Sequence, residues 1–390
     1  MRGRKSDQPQ LFYTIDVESR IRPNHPLRAL KLRIDAILEN MDDVFSKAYG
    51  RMGRPSVPPE RLLKAMLLMA LYSIRSERQL CERIDTDLLF RWFLDMSPEE
   101  AAFDPTVFTH NRPRMDEFGV TSHFFDAVIQ QAIDAGLCSD DHFSVDGTII
   151  ESHASMKSFR PKVESADENQ DLEGNSHEDH NGFKPRNPDV DFHGQKRSNE
   201  THASQTDPEA RLYRKGPGKP SQLAHLGHIL SENRNGLIVE VAVSEANGTA
   251  EREAAVEMID AFQEKHGHGP KTVGADAGYD SGEFLLELEK RDVTPHVAMR
   301  DQAPADPETA RKDRKAKIEA RLRMQDRTTT DEYDVSQRVR KRVEECFGWT
   351  KTIAGMFRSR WVGRWKLLQY FELSASAYNL LRLTKLQPSV

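Results

Sequence analysis

The sequence predicts an α/β domain preceded by an all-α region, and three observations lead to this fold class. Apolar residues recur at helical spacing through much of the first 140 residues. From His142 onwards, short runs rich in β-branched residues alternate with helical segments. An Asn-Gly pair at 235–236 separates two strand-like runs, which indicates a β-hairpin within this second region. Alternating strands and helices of this kind are typical of a sheet covered by helices.

The composition limits the class of protein. The chain has 390 residues, enough for two or three domains, and its three cysteines lie far apart. Such isolated cysteines favour a reducing compartment over a disulfide framework. The first residues lack the apolar stretch of a signal peptide, and the longest apolar run, 65–72, is shorter than the roughly 20 residues that a membrane span needs. We therefore expect a cytoplasmic protein without a membrane partner.

The net charge of −6 conceals two blocks of opposite sign. Residues 300–366 contain 18 Lys and Arg against 11 Asp and Glu, whereas residues 163–193 contain 2 against 9. Salt screens charges beyond roughly 10 Å, so each block acts on its own surroundings. The basic block is therefore compatible with a nucleic-acid partner, although a solvated helix face would have the same composition.

Residues 1–140 are predicted to form a helical N-terminal domain. Pro58 and Pro59 suit the beginning of a helix, where the missing proline N–H has no cost, and apolar residues follow at helical spacing up to Leu71. A second helix is expected at 77–84, followed by the apolar run 88–94. Further helix beginnings are expected at Ser97 and Asp104, and another amphipathic segment at 124–135.

Residues 141–384 are predicted to form the α/β domain, with two insertions. The segment 151–222 is rich in polar residues, glycine and proline and lacks periodicity, so we expect a largely disordered insertion there. A basic insertion is expected at 300–333, with a helix at 312–323. The other predicted elements are a strand at 143–150, a hairpin at 224–244, a helix at 249–266, a strand at 272–275, a helix at 282–291, a strand at 293–299 and a single helix from 335 to about 353.

Two acidic residues stand on strands where metal chemistry would need them. Asp146 interrupts an otherwise apolar strand and Asp276 ends a short apolar strand, each with small residues beside it. Phosphodiester cleavage by two metal ions uses carboxylates on rigid elements as hard oxygen ligands. An acid in such a place is also common as a turn or cap residue, so the strands alone leave both interpretations open.

A third acid, Glu344, belongs to a spaced set on the predicted helix at 335–353. Arg340, Glu344 and Lys351 are separated by four and then seven residues, which returns them to nearly the same helix face, roughly 40° and 20° apart. One helix would thus present a metal ligand between two cations suited to DNA phosphates. A surface ion pair would have the same spacing between its Arg and Glu.

These acids lie in motifs that resemble a known family. The residues from Arg340 to Lys351 resemble the Arg-three-Glu-six-Lys signature of bacterial insertion-sequence transposases of the insertion-sequence-four and -five groups. Residues 145–148 and 275–281 resemble the blocks that carry the first and second catalytic Asp of that family, and residues 53–94 resemble its helical N-terminal domain. The resemblance extends from about residue 10 to about residue 380.

The resemblance implies a DDE transposase with a ribonuclease-H-like mixed sheet, in which Asp146, Asp276 and Glu344 are catalytic residues and metal ligands. The implied cofactor is a pair of Mg²⁺ ions, for which Mn²⁺ could substitute. The implied partners are the terminal inverted repeats, the target DNA and a second copy of the chain in a homodimer on DNA. Arg340 and Lys351 would hold DNA phosphates, and the helical domain would bind DNA or mediate dimerisation.

Several assignments within this family pattern have alternatives. Trp349 could stack on an unpaired base or pack its helix onto the sheet. Glu345 competes with Glu344, although only Glu344 has the right spacing to both cations. The full family signature has a tyrosine where this chain has Gln337, a departure that concerns a DNA contact and not the metal ligands. The alternative functions are a metal-dependent endonuclease without strand transfer and a non-catalytic DNA-binding descendant.

Overall fold

The computed structural model describes residues 14, 16–50, 52–53, 55–162, 197–214, 216, 219–301, 307 and 311–387. The chain divides into two compact units, one of Met1–Val128 with Leu380–Val390 and the other of Ile129–Asn379. Both boundaries of these units fall inside helices, and the domain limits at 140 and 384 stay a prediction.

The first unit is helical, as predicted. Its helices are α1 (Val17–Arg20), α2 (Pro26–Glu39), α3 (Asp42–Ala48), α4 (Pro59–Leu71), α5 (Glu77–Thr86), α6 (Leu88–Phe93), α7 (Thr106–Glu117) and the first part of α8 (Val120–Asp134). Helix α4 begins at Pro59, and every residue from Leu62 to Ala70 is buried. Continuous burial along all sides of a helix marks it as the centre of this unit's core.

No helix begins at Ser97, contrary to the prediction. The buried guanidinium of Arg91 donates from Nη1 to the carbonyl oxygens of Ser97, at 2.7 Å, and Glu100, at 2.6 Å. These charge-assisted hydrogen bonds hold the segment as a loop around the Arg91 side chain, a long-range effect that the local Ser-Pro-Glu-Glu pattern does not contain.

The second unit contains a six-stranded sheet within the described residues. Its strands are β1 (His142–Glu151), β4 (Arg211–Tyr213), β5 (Gln222–Glu232), β6 (Leu237–Glu245), β7 (Thr272–Ala275) and β8 (Thr294–Val297), and a separate two-stranded sheet consists of β2 (Phe159–Pro161) and β3 (His202–Ser204). Its helices are the last part of α8, then α9 (Ala250–His266), α10 (Gly282–Glu289), α11 (Lys312–Arg327), α12 (Asp331–Arg340), α13 (Arg342–Thr352) and most of α14 (Arg364–Leu386). None of the helices described in either unit is long and apolar enough to cross a bilayer.

Strand β1 lies at the junction between the antiparallel and parallel parts of the larger sheet. On one side it pairs antiparallel with β5, whose other edge is occupied by β4 and then by β6, both antiparallel to it. On the other side β1 pairs in parallel with β7, and β7 with β8. This mixed sheet confirms the predicted ribonuclease-H-like α/β class.

Helices cover both faces of the sheet around β1. The ring of Phe143 lies 5.1 Å from that of Phe262 on α9. The next residue, Ser144, points to the other face, where a Cβ on Gly274 would lie 3.4 Å from Ser144 Oγ and 3.2 Å from the Oγ of Ser336 on α12. Coverage of both faces explains why three consecutive residues of β1, Phe143, Ser144 and Val145, are all buried.

The described residues of the segment 151–222 contain three short strands, which the sequence analysis did not predict. Strands β2 and β3 pair with each other, and β4 joins the edge of β5. A small apolar cluster supports them, formed by Ala154, Phe159, Ala210 and Leu223. These apolar residues are few and far apart along the chain, so they form no periodic pattern from which the strands could be predicted. The prediction of disorder is wrong for 151–162 and most of 197–222, and residues 163–196 lie outside the described residues.

A buried carboxylate ties this segment to the sheet. Asp207 is inaccessible to solvent and accepts hydrogen bonds from Ser152 Oγ at 2.7 Å and from the Gly363 amide at 3.3 Å, and its Oδ2 lies 2.9 Å from His225 Nε2. Burial alone would raise the pKa of Asp207, but the hydrogen bonds from His225 and Ser152 outweigh it and hold the pKa below the usual value. The charged form is therefore the one that the fold stabilises.

Asp207→Asn is expected to lower the free energy of unfolding by about 2 to 3 kcal/mol at pH 7, because both carboxylate oxygens accept hydrogen bonds and an amide offers only one accepting oxygen and no charge. A carboxyl group whose pKa is lowered in the folded state stabilises the fold at pH values above its unfolded pKa of about 3.9. This contribution is lost as the pH falls through the lower pKa of the folded state. The deficit of the variant should therefore shrink below about pH 4. Urea unfolding at pH 7 and at pH 3.5 measures the difference in unfolding free energy between the variant and the native chain. Asp140→Asn, which removes only an exposed ion pair with Lys271, should stay within about 0.5 kcal/mol of the native chain.

Candidate active site

Asp146 and Asp276 come together because their strands are parallel neighbours. The register of β1 and β7 places Ser144 opposite Gly274, and each Asp follows two residues later. Asp146 lies inside β1, where it is partly buried, and Asp276 follows the last residue of β7. Two carboxylates that the sequence shows 130 positions apart therefore lie side by side at the carboxyl end of β7.

Backbone amides hold both carboxylates in position. The Gly147 amide donates to Asp146 Oδ1 at 2.8 Å, and the Gly278 amide donates to Asp276 Oδ1, also at 2.8 Å. Asp276 thereby caps a short 3₁₀ turn, Ala277–Tyr279. These contacts orient the two side chains before any ligand binds, which is the arrangement that a metal site requires.

The electrostatics of the pair favour a cation. The pKa of Asp146 is raised to about 6, first by burial and then by the neighbouring charge of Asp276, against the lowering effects of the Gly147 amide and of Arg340. A carboxyl group that resists ionisation beside a second carboxylate is stabilised in its charged form when a cation binds between them. Carboxylate oxygens are also the ligands that hard divalent cations prefer. The donor set therefore fits a divalent metal ion.

Gln337 takes up the position at which the family signature has a tyrosine, and the structure shows what it contacts. Its Nε2 donates to the carbonyl oxygen of His296 on β8 and, at 3.5 Å, to that of Ala275 on β7. Its Oε1 accepts a hydrogen bond from Arg340 Nε at 3.3 Å. Gln337 thus links α12 to the ends of two strands and orients Arg340 towards the carboxylate pair.

The single helix predicted from 335 to about 353 is wrong, because it is divided into α12 and α13 at Lys341. Lys341 has φ −59° and ψ −13°, and Arg342 donates to the carbonyl oxygens of Asn233 and Arg234 in the turn between β5 and β6. This tertiary contact fixes the position of Arg342, the first residue of α13, independently of α12. The helical angles calculated between Arg340 and the residues of α13 therefore no longer apply.

The residues predicted on α13 have different environments. Glu344 is exposed in the first turn, and Lys351 lies in the last turn. Trp349 is partly buried, and its ring lies 5.7 Å from that of Tyr378. Trp349 therefore contacts α14, and the choice between packing on the sheet and stacking on a base stays a prediction. Among the residues that the structure describes, no three His, Cys, Asp or Glu side chains are arranged to hold a metal ion, so the joint role of Asp146, Asp276 and Glu344 stays a prediction.

Glu251, in the first turn of α9, approaches the carboxylate pair, although the sequence analysis did not single it out. A Cβ on Gly147 would lie 2.9 Å from Glu251 Oε1, so the side chain rests on the backbone next to Asp146. The charge of Glu251 is also among those that raise the pKa of Asp146, after burial and Asp276. The one available signal was an acid at the N-terminal end of the helix that follows the hairpin, a pattern that the helix dipole explains equally well.

Much of the predicted basic block is neutralised by helix α10 and the turn before it. Arg321 on α11 forms two hydrogen bonds with the buried carboxylate of Asp280, at 2.8 and 2.7 Å. Lys317 pairs with Glu283 at 2.9 Å, and Arg323 pairs with Glu289 at 2.5 Å. These ion pairs hold α11 against α10. Because their cations are paired with acids, they attract an external anion less strongly than the number of Lys and Arg residues in the sequence suggests.

Two family models match the chain. Residues 15–114 match a transposase domain known as DUF772, and residues 208–380 match a transposase DDE domain. The first match covers most of the helical unit, and the second covers strands β4 to β8, including Asp276, Glu344 and the residues between them. Asp146 precedes the matched range. No curated protein sequence matches this one.

Similar solved structures include two transposases in complex with DNA. A piggyBac transposase synaptic complex with hairpin DNA has 10% sequence identity and a TM-score of 0.39, over 92% of this chain and 74% of that chain. The Mos1 transposase paired-end complex with the left transposon end has 12% identity and a TM-score of 0.20, over 79% and 81%. Similarity this low adds nothing to what the family models and the sheet topology establish.

Proposed function

Because the chain belongs to the DDE transposases, we propose that it cuts the ends of an insertion sequence and joins the freed 3′ hydroxyls to target DNA. The observation that carries this proposal is the pairing of Asp146, inside β1, with Asp276, at the end of the parallel neighbour β7, beside Arg340. Within the family we assign the chain to the insertion-sequence-four and -five groups, on the strength of the spacing from Arg340 to Lys351.

Divalent metal ions are the cofactors of this family, and we propose Mg²⁺, with Mn²⁺ as a substitute. Asp146 and Asp276 would hold the metal, and Glu344 is proposed as a further ligand because it alone has the family spacing. Two bound cations would stabilise the charge on the attacking and leaving oxygens of the phosphodiester. The chain's own contribution is to fix the carboxylates through the Gly147 and Gly278 amides and to place positive charge beside them.

DNA is the substrate of this proposal, as terminal repeats and as target. Arg340, held by Gln337 beside the carboxylates, would contact a phosphate next to the scissile bond. Lys351 and Trp349 on α13 would contact DNA farther along, with Trp349 stacking only through the part of its ring that Tyr378 leaves accessible. A homodimer on DNA would bring two ends together. We place the protein in the cytoplasm, where it meets DNA.

Arg340→Ala is expected to reduce the salt dependence of terminal-repeat binding by about one unit of slope, because each phosphate contact releases about one counterion. Arg323→Ala is the matched control, since that arginine pairs with Glu289 on α10. Dissociation constants measured between about 50 and 200 mM salt give both slopes. Equal slopes for the two variants would contradict the assignment of Arg340 to a phosphate.

A strand-transfer assay with labelled terminal-repeat DNA and a circular target tests the proposed function. Joined product that requires a divalent cation is the expected result. Cleaved ends without joined product would instead identify a metal-dependent endonuclease. DNA binding without cleavage in any divalent cation would identify a non-catalytic descendant, and both outcomes would overturn the proposal.

A further inference from the structure

The side chain of Glu251 reaches both segments that carry the paired acids. Its Cγ and Oε1 would each lie 2.9 Å from a Cβ on Gly147, the residue after Asp146. Its Oε2 would lie 3.6 Å from a Cβ on Gly278, where Asp276 Oδ1 would lie at 2.9 Å. Only glycine leaves the space that the Glu251 carboxylate occupies beside Gly147, because a real Cβ does not come so close to a heavy atom. Glu251 is therefore directed into the site and not along the helix surface.

A buried hydroxyl group in the same place points to a ligand. Tyr279 is fully buried, and its hydroxyl has no hydrogen-bond partner among the described residues. Burial raises the pKa of Tyr279, and the charges of Glu251, Asp146 and Asp276 raise it further, in that order. The three carboxylates are thus near enough to act on the phenol group, and its hydroxyl donates to none of the described residues. A buried donor is rarely left unpaired, so its proton is directed towards something that the site binds.

We propose that Glu251 supplies a carboxylate to the divalent-metal site of Asp146 and Asp276, and that the Tyr279 hydroxyl donates a hydrogen bond to solvent held in that site. The inference rests on the proposed function, because Glu251 can join a metal site only if the two Asp residues form one. Among the described residues the three carboxylates are not yet arranged as a metal-holding group, so the bound cation would draw the Glu251 carboxylate towards the two Asp residues and offset the repulsion among them. The role of Glu251 is separate from that of Glu344, which lies exposed on α13.

The proposal is tested by titration calorimetry, which measures the binding of Mn²⁺ alone to the full chain in the absence of DNA. Glu251→Gln keeps the shape and removes the charge, and we expect at least about tenfold weaker binding. Glu253→Gln makes the same change on the exposed side of the same helical turn and should bind Mn²⁺ like the native chain. Equal affinities for the two variants would overturn the role of Glu251.

Asp146→Asn separates the failure of this inference from the failure of the proposed function. If Asp146→Asn loses Mn²⁺ binding and Glu251→Gln does not, the metal site is correct and Glu251 lies outside it. If Asp146→Asn also binds Mn²⁺ normally, the metal site itself is wrong. Glu251→Asp guards against a folding defect: it restores the charge on a shorter side chain, and its Mn²⁺ affinity should exceed that of Glu251→Gln.

Tyr279→Phe gives an independent readout of the hydroxyl. Without metal, this variant should melt at the same temperature as the native chain or higher, because it removes an unpaired buried group. Saturating Mn²⁺ should then raise its melting temperature by less than it raises that of the native chain. A Mn²⁺-induced rise equal to the native one would show that the hydroxyl does not contact the site.

Discussion

Asp146→Asn is expected to reduce both end cleavage and strand transfer by at least about 1,000-fold. The substitution keeps the oxygen that accepts the Gly147 amide, so β1 and its surroundings should fold unchanged. It removes the negative charge that a divalent cation needs, and metal ions contribute several kcal/mol to phosphodiester chemistry, where about 1.4 kcal/mol corresponds to a factor of ten in rate.

The measurement for Asp146 is cleavage and joining of labelled terminal-repeat DNA under single-turnover conditions in Mg²⁺ and in Mn²⁺. Asp141→Asn is the matched control, because Asp141 is exposed just before β1 and pairs with Lys271 at 2.9 Å. The control should retain native activity. A residual rate for Asp146→Asn within tenfold of that control would remove Asp146 from the metal site.

Glu344→Gln is expected to lower cleavage by at least about 100-fold, whereas Glu345→Gln should stay within about twofold of the native rate. Both residues lie exposed in the first turn of α13, and the two substitutions change charge equally. Only Glu344 has the family spacing to Arg340 and Lys351. In this structure Glu344 is not part of a metal-holding group within the described residues, so its role requires α13 to meet the metal and DNA in the assembled complex.

The same cleavage assay, with Mn²⁺ affinity measured in parallel, separates the explanations for Glu344. A loss of cleavage with unchanged Mn²⁺ affinity in the absence of DNA would mean that Glu344 joins the site only when DNA is bound. A larger loss for Glu345→Gln than for Glu344→Gln would reverse the assignment. Unchanged cleavage in both would show that neither glutamate of α13 serves the reaction.

The elements that the sequence predicted well are those with a strong local pattern. Helix α4 begins at its proline, strand β7 has the predicted bounds, and the hairpin of β5 and β6 forms around its Asn-Gly turn. Helix α9 ends at Gly267, which has φ 74°, a conformation that glycine adopts without strain. In each case the residues that determine the element lie within a few positions of it.

The elements that the sequence did not predict depend on distant contacts. The strands β2, β3 and β4 form where a few scattered apolar residues meet β5 and where Asp207 meets His225 and Ser152. The break between α12 and α13 follows from the bonds of Arg342 to a turn more than 100 positions earlier. Neither kind of contact produces a periodic pattern in the sequence.

The candidate active site likewise depends partly on local sequence motifs and partly on contacts between distant residues. The sequence by itself determined the family and predicted Asp146, Asp276 and Arg340 as site residues, because short motifs carry the chemistry of a reaction. Only the tertiary structure decided how close Asp146 and Asp276 lie, that Gln337 holds Arg340, and that Glu251 reaches the pair. Strand register and helix packing bring together residues that are far apart along the chain, and a carboxylate acquires its pKa and its metal affinity from those neighbours.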